Sequence, residues 1–339
     1  MGQFGPFLIS TTQELLSQMR TIDIHAHISP EGMVKAMSEG RDWHGISSAE
    51  MLPIHEYTPR TMWTPEQRLQ EMDELGVDIH VLSTNSFFYF YERDAAAITA
   101  MARECNDYVS QLAKDRPDRF AGFATLPMQD VNASVAELER GMQTLGLKGA
   151  MIGDHVNGVT YDDPSFLPLW KAAEASGAVI FIHQAGDTVV SPRSDSYHLP
   201  NTIGNLADRA VTFASFVFGG VMDACPDLKV CLAHGGGYTC FGAGRMDRGW
   251  QVRSEARVHI QQPPSRYLNR FWYDCLTHSE DALRMLIDTV GLDRVVFGTD
   301  WPFDMAIDEP VSWVRNMTKL TDPEKDAILG GNIESLLGL

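Results

Sequence analysis

Short apolar stretches rich in β-branched residues recur along nearly the whole chain, in alternation with longer segments of helical periodicity. That alternation constrains the fold more than any other feature. Parallel strands buried on both faces need crossover helices to connect and cover them. Strands are predicted over Thr21–His25, Asp78–Thr84, Phe120–Leu126, Gly149–Gly153, Val179–His183, Lys229–His234, Phe271–Leu276 and Arg294–Thr299. Helices are predicted over Thr64–Leu75, Ala95–Lys114, Ser134–Leu145, Leu167–Ser176, Leu206–Ala224, Ser279–Val290 and Pro323–Leu337. The first opens on Thr64-Pro-Glu-Gln, a capping-box pattern. Gly76, Gly146, Gly177 and Gly291 stand where a C′ glycine is expected. Eight strands with seven helices imply the α/β class, as a (β/α)8 TIM barrel with a small insertion after the first strand. The barrel is read as a single domain over residues 1–339, with no internal repeat. Residues Gly235–Gln262 carry only a short helical pattern. Residues 29–63, rich in Gly, Pro, His and Met, form the insertion, which leaves the first strand at its C-terminal end and is expected to cover the active site.

Four of the predicted strands end in side chains able to hold a metal. The first carries His25 and His27, two apart and so pointing the same way. The fifth ends in His183, the sixth in His234 before Gly235–Gly237, and the eighth in Asp300 before Trp-Pro-Phe303. Any one of these alone reads as a satisfied core residue. Together they occupy the face where barrel active sites form. Neutral imidazoles with one carboxylate suit Zn²⁺, with Mn²⁺ as the other choice, better than Mg²⁺ or Ca²⁺. Such a set leaves a position for water and can spare one histidine to move protons. His234 is that candidate, because the glycines beside it leave room for a substrate.

The net charge of −18 excludes nucleic acid and an anionic membrane as partners, since both would repel the chain. A small anionic substrate remains open, because local cations can reverse the field in a pocket. There is no run of 18 apolar residues, and the first ten residues lack a signal-peptide pattern. The five cysteines fit no zinc-finger or redox spacing. A cytoplasmic location is expected.

The order HxH, His183, His234, Asp300 resembles the amidohydrolase superfamily. More narrowly, the chain is similar to the branch containing 2-amino-3-carboxymuconate-6-semialdehyde decarboxylase. The similarity runs from about Thr21 to the C-terminus and includes Thr125–Gln129, Gly153–Asn157, Leu228–Gly237 and Gly298–Phe303. It implies that His25, His27, His183 and Asp300 bind one divalent ion and that His234 transfers the proton, with Asp300 also catalytic. It implies a substrate carboxylate contact at Arg245, reaching into the neighbouring subunit's site of a homodimer or higher homo-oligomer, and an aromatic pocket wall at Phe303. The chain departs from the branch in two places. Where the decarboxylase carries a second substrate arginine this chain has Glu56, which leaves Arg60 as the candidate contact. After the fifth strand His-Pro-Trp-Asp is replaced by His183-Gln-Ala-Gly-Asp187. His155 and His278 are expected to be supporting residues. The resemblance implies a metal-dependent non-oxidative decarboxylase (a carboxy-lyase) of an unsaturated or aromatic carboxylic acid. The alternative is a metal-dependent hydrolase or hydratase acting on a lactone, amide or alkene with the same ligands. A barrel that holds its metal only for structure is the third reading, and it leaves His234 without a use.

Overall fold

The computed structural model describes residues 19–193 and 196–339, leaving out the side chains of residues 53–57. Nine strands are present among them: β1 Ile22–Ile28, β2 Ile79–Thr84, β3 Phe120–Gly122, β4 Ala124–Thr125, β5 Gly149–Ile152, β6 Val179–Ile182, β7 Lys229–Leu232, β8 Phe271–Asp274 and β9 Val295–Val296. Every pairing is parallel, in the orders β1-β2-β3 and β4-β5-β6-β7-β8-β9. The predicted third strand is therefore split into β3 and β4 around Phe123, whose amide still donates to Leu82 O at 2.9 Å.

The predicted eighth strand pairs with β8 only over β9, because past that point the chain turns towards β1 instead. Ile24 N donates to Phe297 O at 3.0 Å, Asp300 N to His25 O at 2.9 Å and His27 N to Trp301 O at 2.7 Å. These bonds join the two ends of the strand order into a barrel. They also set the Asp300 segment directly against the histidines of β1.

The helices among the described residues are α1 Glu31–Ser38, α2 Ser48–Tyr57, α3 Pro65–Leu75, α4 Ala95–Asp115, α5 Val131–Arg140, α6 Leu167–Ser176, α7 Leu206–Phe218, α8 Val221–Ala224, α9 Thr239–Val252, α10 Glu280–Val290, α11 Pro310–Arg315, α12 Asp322–Asp326 and α13 Asn332–Leu337. The predicted capping box opens α3, where Thr64 N donates to Gln67 Oε1 at 3.0 Å. Gly76 ends that helix at φ 73°, a conformation glycine adopts without cost. In α10, Leu283, Leu286, Ile287 and Val290 are buried, the i, i+3, i+4, i+7 stripe of a helix lying on a barrel.

Two expectations need correction. The single helix predicted over Leu206–Ala224 is two, α7 and α8, because Gly220 takes φ 74° between them. The Gly235–Gln262 segment holds a full 14-residue helix, α9, whose periodicity is masked by Gly242, Gly244 and Gly249. Residues 29–63 hold α1 and α2. Met33, Trp43, Ile46 and Met51 from this segment pack with Phe88, Ile98, Met101 and Cys105 in a cluster separate from the main core. Arg93 and Glu104, which pair with Glu50 and with His44, tie it to the middle of α4 and to the chain before that helix.

Candidate metal centre and active site

The strand ends converge on Asp300. Its Oδ1 lies 3.2 Å from His25 Nε2, 3.0 Å from His27 Nε2 and 3.8 Å from His183 Nε2, and its Oδ2 lies 3.8 Å from His234 Nε2. One ligand atom each from His25, His183, His234 and Asp300 falls within 4.8 Å of all the others, a spacing one ion can bridge. The His27 ring adjoins this group, 5.0 Å from His25 and 4.7 Å from His183 between centroids. His234 and Asp300 both hold left-handed backbone conformations, φ 57° and 67°. Non-glycine residues adopt these at some energetic cost, and such strain gathers at functional sites.

The donor set fits a cation. His183 is fully buried, yet neither of its ring nitrogens has a hydrogen-bond partner among the described residues, and His25 Nε2 and His234 Nδ1 also lack one. Buried polar atoms are rarely left so. Their charge states point the same way. Burial alone would lower the His25 imidazole, but the carboxylates of Asp300 and Asp274 outweigh it and push it up to about 10. Burial takes His27 down to about 4 and His183 well below the usual histidine range. Burial would raise Asp300, but charged His25 and the other imidazoles turned towards it hold it well below the carboxylate range. An ionised carboxylate beside the neutral imidazoles of His27 and His183 is the donor chemistry of a divalent first-row ion, and a cation there would take the place of the proton that the carboxylates hold on His25.

Several supporting residues were not singled out from the sequence. Asp274, at the end of β8, accepts from His25 Nδ1 at 2.8 Å through Oδ2 and from Gly235 N at 2.8 Å through Oδ1. A carboxylate there fixes the tautomer, so His25 presents Nε2 to the site. Gly298 is required for this closeness, because a Cβ on it would stand 2.8 Å from Asp274 Cβ and 3.0 Å from His25 Cβ. Asp23 accepts from Thr299 Oγ1 at 2.6 Å and from His25 N at 2.8 Å, so it ties β1 to the residue before Asp300. Arg209 of α7 donates to Ile182 O at 2.9 Å and pairs with Asp154, which accepts from Ala185 N at 2.9 Å. The pair thus grips the chain on both sides of His183. For Asp23, Asp154 and Asp274 the signal was a charged residue within or beside an apolar strand, since unpaired charges are almost never fully buried, whereas Arg209 lies within α7.

Replacing Asp274 by alanine is expected to lower metal affinity about 10- to 100-fold while leaving the fold intact, the usual cost of losing such a partner. Metal titration of the purified variant checks it, and unchanged affinity would remove Asp274 from the site.

The remaining candidates divide. Phe303 reaches the site, its ring 5.3 Å from that of His27. His278 lines a cavity of about 730 Å³ that opens at His234 and Asp300 and is walled by Tyr238, Phe241 and Met285. His155 pairs with Asp187 at 3.3 Å. Arg60 is turned away from the cavity, 3.5 Å from Glu71 Oε1. Arg245 lies exposed on α9 and, among the described residues, is not one of those lining the cavity at His234. The Glu56 side chain falls outside the described residues. His234 is the one imidazole of the group that is only partly buried and faces the cavity.

A parallel barrel whose strand ends bring four imidazoles and a carboxylate together defines a metal-dependent barrel enzyme. The family model described as amidohydrolase matches residues 22–339, and the chain belongs to that family. It is 34% identical to 2-amino-3-carboxymuconate-6-semialdehyde decarboxylase of Dictyostelium discoideum, over 94% of this chain and 91% of that protein. It is 29% identical to the gamma-resorcylate decarboxylase of a Polaromonas species, over 84% and 90%. The solved 5-carboxyvanillate decarboxylase of Sphingomonas paucimobilis superposes with a TM-score of 0.82 at 28% identity, covering 95% of this chain and 99% of that one. The Polaromonas dihydroxybenzoic acid decarboxylase, solved with manganese and 2-nitroresorcinol, superposes with a TM-score of 0.80 at 25% identity, covering 95% and 97%. The chain is a metal-dependent decarboxylase of this branch.

Proposed function

We propose that the chain removes the carboxylate of a conjugated or aromatic acid without oxidation, and that His234 supplies the proton. The observation that carries this is the contrast in exposure. His25, His27 and His183 are sealed in the barrel, while His234 stands at the cavity wall 3.8 Å from Asp300. In this reading His25, His27, His183 and Asp300 hold the ion. When bound, that ion supplies a Lewis acid that orients the anionic substrate and draws charge from it. His234 delivers its proton from Nε2 to the carbon bearing the carboxylate. The C–C bond then breaks, its electron pair returns to the conjugated system, and CO₂ leaves. Phe303, against His27, is read as the aromatic wall beside the reacting ring.

The ion is Zn²⁺ or Mn²⁺, both compatible with imidazole and carboxylate donors, and the manganese in the Polaromonas structure supports the latter. Chelator-stripped protein is expected to lose at least about 100-fold in turnover and to regain it with one equivalent of either ion. Assay of CO₂ release from carboxylated aromatics and muconates checks both claims. Unchanged turnover after stripping, or consumption of substrate without CO₂, would overturn the reading.

Among the described residues no Lys or Arg lines the cavity at His234, so none of them pairs with the substrate's anionic groups beyond the metal centre. Arg245 lies exposed on α9, one turn after Phe241, which is 83% exposed. This supports a homodimer or higher homo-oligomer in which the neighbour's copy provides the cation. Arg60 would act as a substrate contact only by leaving Glu71. Residues 29–63 are proposed to cover the mouth on the β1–β2 side, where Trp63 lies 6.2 Å from Trp301. No helix among the described residues is long and apolar enough to cross a membrane. The five free cysteines fit a reducing compartment, and the cytoplasm is proposed.

A further inference from the structure

We infer that Arg68, buried on α3, is a positioning residue of the metal centre, whose guanidinium clamps the His27 end of β1 to the segment carrying Asp300. The inference rests on the reading in which His27 and Asp300 are ligands, and the clamp itself rests on geometry. Arg68 is 3% exposed. Its Nη2 donates to His27 O, its Nη1 donates to His80 Nδ1 at 3.2 Å, and its Cζ stands 3.9 Å from the centre of the Trp301 ring. Trp301 follows Asp300 in the chain, and its carbonyl accepts from His27 N at 2.7 Å. His27 is thus held at its N–H by Trp301 and at its carbonyl by Arg68. A guanidinium suits this place because it donates in the plane of its fork while its face stays free to stack on an aromatic ring.

The helix supplies a second hold on the same ring. Glu71, three residues after Arg68 and so on the same face of α3, accepts from Trp301 Nε1 at 2.8 Å. Trp301 is gripped on its face by Arg68 and at its edge by Glu71. This bears on the residue before it. Asp300 keeps φ 67°, a strained conformation that persists only where the surroundings over-determine it. The guanidinium also reaches the His25 side. Arginine has no acceptor, so His80 accepts at Nδ1 and carries its proton on Nε2, 3.7 Å from Asp23 Oδ2. Asp23 in turn holds His25 N and Thr299. One buried side chain is therefore linked to the backbone of β1 and to both neighbours of Asp300.

The test is calorimetric titration of chelator-stripped protein with Mn²⁺, run well below the Tm of each variant. Arg68→Lys keeps the buried cation but loses the fork and the flat face. Its Mn²⁺ affinity is expected to fall about ten-fold or more, the cost of losing a partner behind a metal ligand. The ligand-field absorption of the Co²⁺-loaded variant should change shape, since a displaced imidazole or carboxylate alters the geometry round the ion. Trp301→Leu removes the surface under the guanidinium, leaves the His27–Trp301 backbone hydrogen bond in place, and tests the clamp independently of how well Arg68→Lys folds. Its loss should be of similar size. Because both act through one clamp, the double variant should lose little more than the weaker-binding single variant. A lowered Tm with parent-like Mn²⁺ affinity and Co²⁺ spectrum would make Arg68 a packing residue and overturn the inference, as would single losses that multiply in the double variant. His27→Ala in the same titration separates the clamp from the reading it rests on. If that variant binds Mn²⁺ as the parent does, the ligand assignment fails. If it is depleted while Arg68→Lys and Trp301→Leu bind normally, only the clamp fails.

Discussion

His234→Ala is expected to lower turnover about 10²- to 10⁴-fold while the protein keeps its ion, the range associated with losing a positioned proton donor. The geometry makes this a sharp test, because His234 also lies within bridging distance of His25, His183 and Asp300. As a ligand, its loss would empty the site. As the proton carrier, its loss would leave metal content at one equivalent and stop the chemistry. His27→Ala is the matched control. His27 is fully buried with Nε2 3.0 Å from Asp300 Oδ1, and its loss should deplete the metal. Elemental analysis beside initial-rate measurement on the two variants decides the assignment. If His234→Ala is metal-free or turns over normally, the proposed division of labour fails.

The second large effect is on stability. Arg209→Met is expected to cost roughly 3–5 kcal/mol, because it leaves the Asp154 carboxylate buried without its counter-charge. Both side chains are shielded from water, Arg209 at 0% and Asp154 at 3% exposure. Arg209 also holds Ile182 O, and Asp154 holds Ala185 N, so the loss reaches the chain that carries His183. Thermal unfolding should show a lowered Tm, together with weakened metal binding. The double variant Arg209→Met with Asp154→Asn should recover part of the loss, since no charge is then stranded. A single variant as stable as the parent would show that the pair does not brace the site.

Much of the barrel was legible because buried parallel strands are written as apolar runs of fixed length, and helix ends carry their own chemistry. Thr64 and Gly76 mark the limits of α3 without reference to anything beyond it. Where glycine obscured periodicity, as in α9, the helix could not be seen. Its stability comes from packing against α7 and the chain before β8, which no local pattern records.

The clustered histidines and Asp300 were legible for a similar reason. A histidine or aspartate at the end of an apolar strand is out of place unless something holds it there. Their partners were not, because Asp274 meets His25 across 249 positions of chain and Asp154 meets Arg209 across 55. The strands alone determined that His25, His27, His183, His234 and Asp300 would rise at one end of a barrel. Only the closed fold decided which imidazole faces the cavity, that Arg60 turns to Glu71, and that Arg245 stands outside its own pocket. Strand periodicity sets the side of the sheet on which a residue lies, but distance, burial and charge partner are set by chain segments remote in sequence.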